Sequence, residues 1–137
     1  MGRGRMLVVD ASSLYEVLVE GPSAEAVRAR LAADDDQAAP HLIDAEVLSL
    51  IRRDHLRGAI DATTAALAVV DLAAWPGERY DHRPLFERAW ALRRTLRAWD
   101  ALYVALAEAL GASLVTLDAR LARADGPRCP IEVVDRG

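Results

Sequence analysis

Two short apolar runs in this 137-residue chain each finish on an aspartate. LVVDAS places Asp10 behind Leu7, Val8 and Val9, and LVTLDARL places Asp118 behind Leu114, Val115, Thr116 and Leu117. Two more acids sit in apolar surroundings, Glu46 in LIDAEVLSLIRR and Asp100 in AWDALYVALAEAL. Four carboxylates brought together would repel, and at least one would stay protonated. A divalent cation removes that repulsion. It also lowers the pKa of a bound water and stabilises charge on a phosphoryl oxygen.

Each acid taken alone has a structural explanation. Asp10 can cap the helix that follows, worth roughly 0.5–2 kcal/mol over alanine, although Ser12 or Ser13 could do that instead. Asp118 can cap a helix beginning at Ala119. Thr116, two residues back on the same strand face, can aim its hydroxyl at the same edge. Asp100 in a first turn favours the helix dipole by about 0.3–1 kcal/mol. Its helix reads as buried on most sides, however, so its carboxylate needs an arginine, N–H donors or a cation. Glu46 lies at the flank of an apolar stripe, where a salt bridge to Arg53 would account for it. Asp44, on the other flank, reads as a structural first-turn acid.

The other ligand types are scarce. The one cysteine, Cys129, excludes an internal disulfide and a cysteine metal cluster. His41, His55 and His82 show no ligand spacing such as HExxH. Any metal must therefore be held by oxygen, which favours Mg²⁺ or Mn²⁺ over zinc. The run Asp34-Asp35-Asp36 lacks the spacing and glycine of a calcium loop and reads as a solvated helix end.

The net charge is −4, and all 17 basic residues are arginine. A GC-rich coding sequence explains that choice, and bidentate phosphate contact is the functional alternative. An acidic total argues against coating nucleic acid by charge alone. The length suits one domain with its own core. No apolar run is long enough to span a bilayer, and MGRGRM lacks the apolar stretch of a signal peptide. We therefore expect a cytoplasmic protein with residues 1–5 as a flexible extension and residues 6–137 as a single domain.

The elements that must position the acids follow from periodicity and punctuation. Strands are expected at 7–9, 37–40, near 75–80, 113–117 and 131–134. Helices are expected at 14–19, 23–33, 42–56, from 61 or 63 to 72, 82–96, 98–110 with Gly111 as C-cap, and 119–124. Such alternation implies an α/β sandwich around a parallel sheet, with ligands at the carboxyl ends of the strands. Trp90, Trp99 and Tyr103, at helical spacing, read as core or dimer packing.

The order VVDAS, HLIDAEVLSLIRR, WDALYVALAEALGASLVTLDARLARA resembles the PIN-domain family, and within it the VapC-type toxins of bacterial toxin–antitoxin pairs. The resemblance covers residues 7–134; the last motif is its most specific part and the middle, 59–96, its least clear. It implies a PIN-like three-layer α/β/α sandwich with a central parallel sheet of four to five strands, the first and fourth side by side. It implies Asp10, Glu46, Asp100 and Asp118 as catalytic acids, with Asp10, Asp100 and Asp118 the main ligands of Mg²⁺ (Mn²⁺ as substitute) and Glu46 a ligand or a water-orienting group. Ser12 and Thr116 match supporting hydroxyl positions. The implied activity is cleavage of single-stranded or looped RNA; in-line attack by a metal-bound water, the mechanism expected here, would leave 5′-phosphate and 3′-hydroxyl ends. The implied partners are a second copy of the chain and a VapB-like antitoxin, in a heterotetramer or larger. Trp99 departs from the tyrosine more usual before this aspartate.

RNA and an acid cluster repel at long range, so basic residues must frame the site. Arg93, Arg94 and Arg97 precede Asp100, Arg120 and Arg123 follow Asp118, and Arg52, Arg53 and Arg57 follow Glu46. Of these, Arg94 and Arg97 are the expected RNA contacts. A catalytically inactive PIN-like binding module is the alternative, and weak metal binding would favour it. A receiver domain needs a late lysine, which is absent. A haloacid-dehalogenase-like phosphatase needs an aspartate where Ser12 stands.

Overall fold

The structure is a computed structural model that describes residues 6–33 and 36–134. The extension expected over residues 1–5, the acids Asp34 and Asp35, and residues 135–137 lie outside the described residues. Among the described residues the chain forms one five-stranded, all-parallel sheet: β1 (Met6–Val9), β2 (Asp36–Pro40), β3 (Glu78–Tyr80), β4 (Ser113–Thr116) and β5 (Ile131–Val133), in the order β3-β2-β1-β4-β5. The helices are α1 (Ala11–Leu18), α2 (Ala24–Ala32), α3 (Leu42–Leu56), α4 (Ala62–Ala74), α5 (Phe86–Ala91), α6 (Ala98–Leu110) and α7 (Ala119–Arg123). Helices α1 to α4 pack on one another, and α5 packs on α6, which lies across β1, β2 and β4. This is the three-layer α/β/α sandwich.

β1 is central because its sequence tolerates no water on either face. Leu7, Val8 and Val9 are all buried, as a parallel strand covered by helices on both sides demands. Its neighbours are β2 on one edge and β4 on the other, so the order of connection reverses beside β1. That is the switch point at which open α/β sheets place their ligands. Pairing of Val8 with Leu114 and Val9 with Val115 carries the register forward until Asp10 lies beside Thr116. Helix α6 is buried from Ala101 to Ala107 without a break. It stops at Gly111, whose φ of 63° is the left-handed cap a glycine adopts without strain.

Three expectations need correction. The first helix starts at Ala11, not at residue 14, because Asp10 rather than Ser12 or Ser13 caps it. Asp36, assigned to a solvated helix end, opens β2 instead. The helix expected over 82–96 is a 3-10 turn at Arg83–Leu85 followed by α5, which ends at Ala91. Beyond it the chain turns inward: Leu92 and Leu96 are buried, and the Thr95 hydroxyl donates to the Asp125 carbonyl at 2.7 Å. Those contacts outweigh continued helix.

Two arginine-rich networks fix the frame around the site. Asp54, buried on α3, accepts from the Tyr15 hydroxyl of α1 and from Arg53 Nε at 3.0 Å, and is paired with Arg57 at 2.9 Å. Arg79 of β3 bonds Asp44 at 2.9 Å and the Trp75 and Gly77 carbonyls, with its guanidinium over the Trp75 ring. Asp44 is thus the structural acid its position suggested. Among the described residues no helix is long and apolar enough to cross a membrane.

Candidate acidic active site

Asp10 stands at the carboxyl end of β1 and is only 8% exposed. As N-cap of α1 it accepts the Ser13 N–H at 3.0 Å and the Ser12 hydroxyl at 2.8 Å on Oδ1. Its Oδ2 accepts the Thr116 hydroxyl at 2.5 Å. Burial pushes its carboxyl above the ordinary 3.8, against the opposing pull of those hydrogen bonds. The cap role and the site role coexist: a capped carboxylate is a carboxylate held in one orientation.

Asp118 follows β4 and caps α7, accepting the Arg120 N–H at 2.9 Å. Its own N–H donates to Thr116 Oγ1 at 2.9 Å. The Arg120 guanidinium forks onto both carboxylate oxygens, at 3.1 and 2.9 Å, and holds the Asp118 carboxyl below its ordinary value. Ser12 completes the tie between the strand ends, since its oxygen accepts the Leu117 N–H at 3.4 Å.

Glu46, in the second turn of α3, faces this edge from across the cleft. It makes no bridge to Arg53; its Oε1 accepts the Tyr103 hydroxyl of α6 at 2.7 Å. Burial raises its pKa above the ordinary 4.5, and the negative charges of Asp10 and Asp100 raise it further. Those couplings place the three acids in one electrostatic unit. Asp100 lies in the first turn of α6, with Arg97 Nε and Nη2 each 3.4 Å from its Oδ2.

Asp10, Glu46, Asp100 and Asp118, with Ser12, all line one cleft of about 450 Å³. Its walls include Arg97, Trp99 and Tyr103. Thr116 is fully buried just beneath, acting through Asp10 and Asp118 rather than on the cleft itself. Of the two arginines expected to contact RNA, Arg97 is part of the cleft wall, whereas Arg94 is exposed and is not. Tyr103 is buried, whereas Trp90 and Trp99 are 68% and 54% exposed, which excludes the core for them and leaves the dimer-packing alternative untouched.

The donor set is all carboxylate oxygen, which suits a hard divalent cation. Among the described residues no three His, Cys, Asp or Glu side chains converge on one point as a ligand cluster. Asp118 and Asp100 instead lean on Arg120 and Arg97. Two contributors escaped the sequence reading. Tyr103 was assigned to packing, although its place three residues after Asp100 puts both on one helix face. Arg120 was only one of several framing arginines, although its spacing from the capping Asp118 is a local signal.

A parallel sheet with carboxylates gathered at its switch point, faced by acids from two helices, defines a class of acidic α/β sites. The PIN domain profile matches residues 7–127. Ribonuclease VapC9 of Mycobacterium tuberculosis is 40% identical over 131 residues, covering 96% of this chain and 100% of the relative. Ribonuclease VapC12 of the same organism is 38% identical, covering 94% and 99%. Ribonuclease VapC1 is 43% identical, covering 93% and 96%. Among solved structures, PAE2754 from Pyrobaculum aerophilum superposes with a TM-score of 0.67 at 26% identity, covering 94% of this chain and 84% of that one. VapBC2 from Rickettsia felis, bound to a DNA fragment from its promoter, shares the fold with a TM-score of 0.68 at 16% identity, covering 95% and 99%. The chain belongs to the PIN-domain family, as a VapC-type member.

Proposed function

We propose that this protein is the toxin of a toxin–antitoxin pair, a Mg²⁺- or Mn²⁺-dependent endoribonuclease neutralised by a VapB-like antitoxin. The observation that carries the reading is the cleft, where Asp10, Glu46, Asp100 and Asp118 from four separate segments line one pocket. Relatives of about 40% identity over nearly the whole chain are named ribonucleases, which supports RNA as substrate. VapBC2, a solved structure of the same fold, supports an antitoxin partner.

In this reading Asp10, Asp100 and Asp118 hold the ion and Glu46 is a further ligand or orients the attacking water. Bound there, the ion would activate water and stabilise charge on the phosphate oxygens during in-line displacement. The chain's own contribution is orientation. Asp10 is fixed by three donors, whereas Asp100 and Asp118 would have to turn from Arg97 and Arg120 to meet the ion. Tyr103 commits one oxygen of Glu46 and so sets the direction of the other. Arg97 lines the same cleft, where it can meet the RNA phosphate that the acids alone would repel. A cationic side chain of the antitoxin could compensate the same carboxylates. A second copy of the chain completes the expected assembly.

The test is purified protein on RNA with Mg²⁺, with the cut ends mapped. The reading expects 5′-phosphate and 3′-hydroxyl ends, and loss of cleavage in Asp10→Asn and Asp100→Asn variants that still fold. Full activity in both variants would defeat the assignment. Inactivity of the wild type with intact Mn²⁺ binding would point to an RNA target absent from the assay. Inactivity with weak Mn²⁺ binding would favour the inactive module.

A further inference from the structure

The three tryptophans of the chain have different surroundings. Trp75 is 9% exposed, its indole N–H donates to Gln37 Oε1 at 2.9 Å, and Arg79 stacks on it. Trp90 is exposed on α5, with the Arg93 guanidinium 4.6 Å from its ring centre. Trp99 is 54% exposed and forms part of the wall of the acidic cleft, yet among the described residues no cation covers its ring. A large aromatic surface left wet inside a catalytic cleft gains nothing for the fold.

Its position is fixed by the backbone. Trp99 lies in the first turn of α6, immediately before Asp100 and two residues after Arg97, and all three line the cleft. One short segment thus offers a cation, an aromatic face and a carboxylate in succession. Those are the three groups that bind a phosphate, a base and a hard cation. Nucleobases of unpaired strands stack on exposed aromatic side chains, whereas bases inside a duplex are already stacked.

We infer that Trp99 is a positioning residue that stacks on an unpaired nucleobase flanking the scissile phosphate, and so selects single-stranded RNA at that position. The inference rests on the ribonuclease reading above. Holding the base beside Asp100 places the phosphate over the acids and excludes water from one side of it.

The experiment uses a randomised single-stranded oligoribonucleotide pool to find the cut site, then that sequence with one abasic nucleotide at each flanking position. Trp99→Ala should lower kcat/KM on the intact strand by about fivefold to a hundredfold, with Trp99→Phe and Trp99→Tyr restoring most of it. One abasic position should cost the wild type a similar factor and cost Trp99→Ala almost nothing. Unchanged kcat/KM in Trp99→Ala overturns the inference. So does a loss that is the same on intact and abasic strands, which would mark Trp99 as packing. In both cases wild-type cleavage persists and the ribonuclease reading stands. A wild type that neither cuts RNA nor binds Mn²⁺ overturns both.

Discussion

Asp10 and Asp118 share one hydroxyl: Thr116 Oγ1 donates to Asp10 Oδ2 at 2.5 Å and accepts the Asp118 N–H at 2.9 Å. The two strand-end acids are therefore set relative to each other by a buried side chain on β4. Thr116→Val keeps the shape and removes both bonds. It should lower metal affinity or cleavage by about 10–100-fold, as loss of a group supporting a ligand typically does, while Thr116→Ser stays near wild type. Equal cleavage by Thr116→Val and wild type would show that the hydroxyl does not position the acids.

The buried Asp10 gives a pH signature. Its folded pKa lies above the ordinary 3.8. The folded state then binds its proton more tightly than the unfolded state does. Asp10 therefore favours folding below pH 3.8, and that contribution is lost as pH rises through the folded value. Asp10→Asn cannot ionise, so metal-free Asp10→Asn should gain thermal stability relative to metal-free wild type as pH rises from about 4 to 7. Melting curves across that range check it, and any lost Thr116 contact enters as a constant offset. A gap that does not change with pH would contradict the assigned burial.

Asp54 predicts the opposite sign. Hydrogen bonds from Arg53 and Tyr15 hold its pKa below 3.8. Its stabilisation is present above pH 3.8 and is lost as pH falls through the lower folded value. Asp54→Ala strands the buried Tyr15 hydroxyl and should cost about 1–3 kcal/mol at neutral pH, read by urea denaturation. Cleavage per folded molecule should hardly change, because Asp54 is not part of the cleft wall.

Arg97 and Arg94 separate in a salt titration. If Arg97 meets one RNA phosphate, Arg97→Gln should reduce the slope of log affinity against log salt by about 0.7. Fluorescence anisotropy with a labelled single strand in the Asp100→Asn background reads this without cleavage. Arg94→Gln should leave the slope closer to wild type, since Arg94 stands outside the cleft wall. An unchanged slope for Arg97→Gln would remove it from the RNA path.

Much of this was legible in the sequence, because the strongest signals are local. The β-branched run ending at Asp10, the helices at 42–56 and 98–110, and the glycine cap at Gly111 are set by residues within a turn of one another. Each of the four acids breaks an apolar pattern, but each alone has a structural explanation, and the resemblance to the PIN-domain family is what singles out the set. Long-range contacts were not legible. The break after Ala91 depends on Thr95 reaching Asp125, and the Tyr103–Glu46 bond joins residues from different helices. The core alternative for Trp99 fails for a related reason: helical spacing to Trp90 suggests a shared face, but the intervening chain is not one helix.

The most direct measurement is Mn²⁺ binding by calorimetry to metal-free wild type and to Asp10→Asn, Asp100→Asn and Asp118→Asn in parallel. If these carboxylates share one ion, the wild type should saturate and every single variant should bind much more weakly while melting cooperatively. Undiminished binding in all three variants would mean that the acids, though neighbours, do not act as one ligand set.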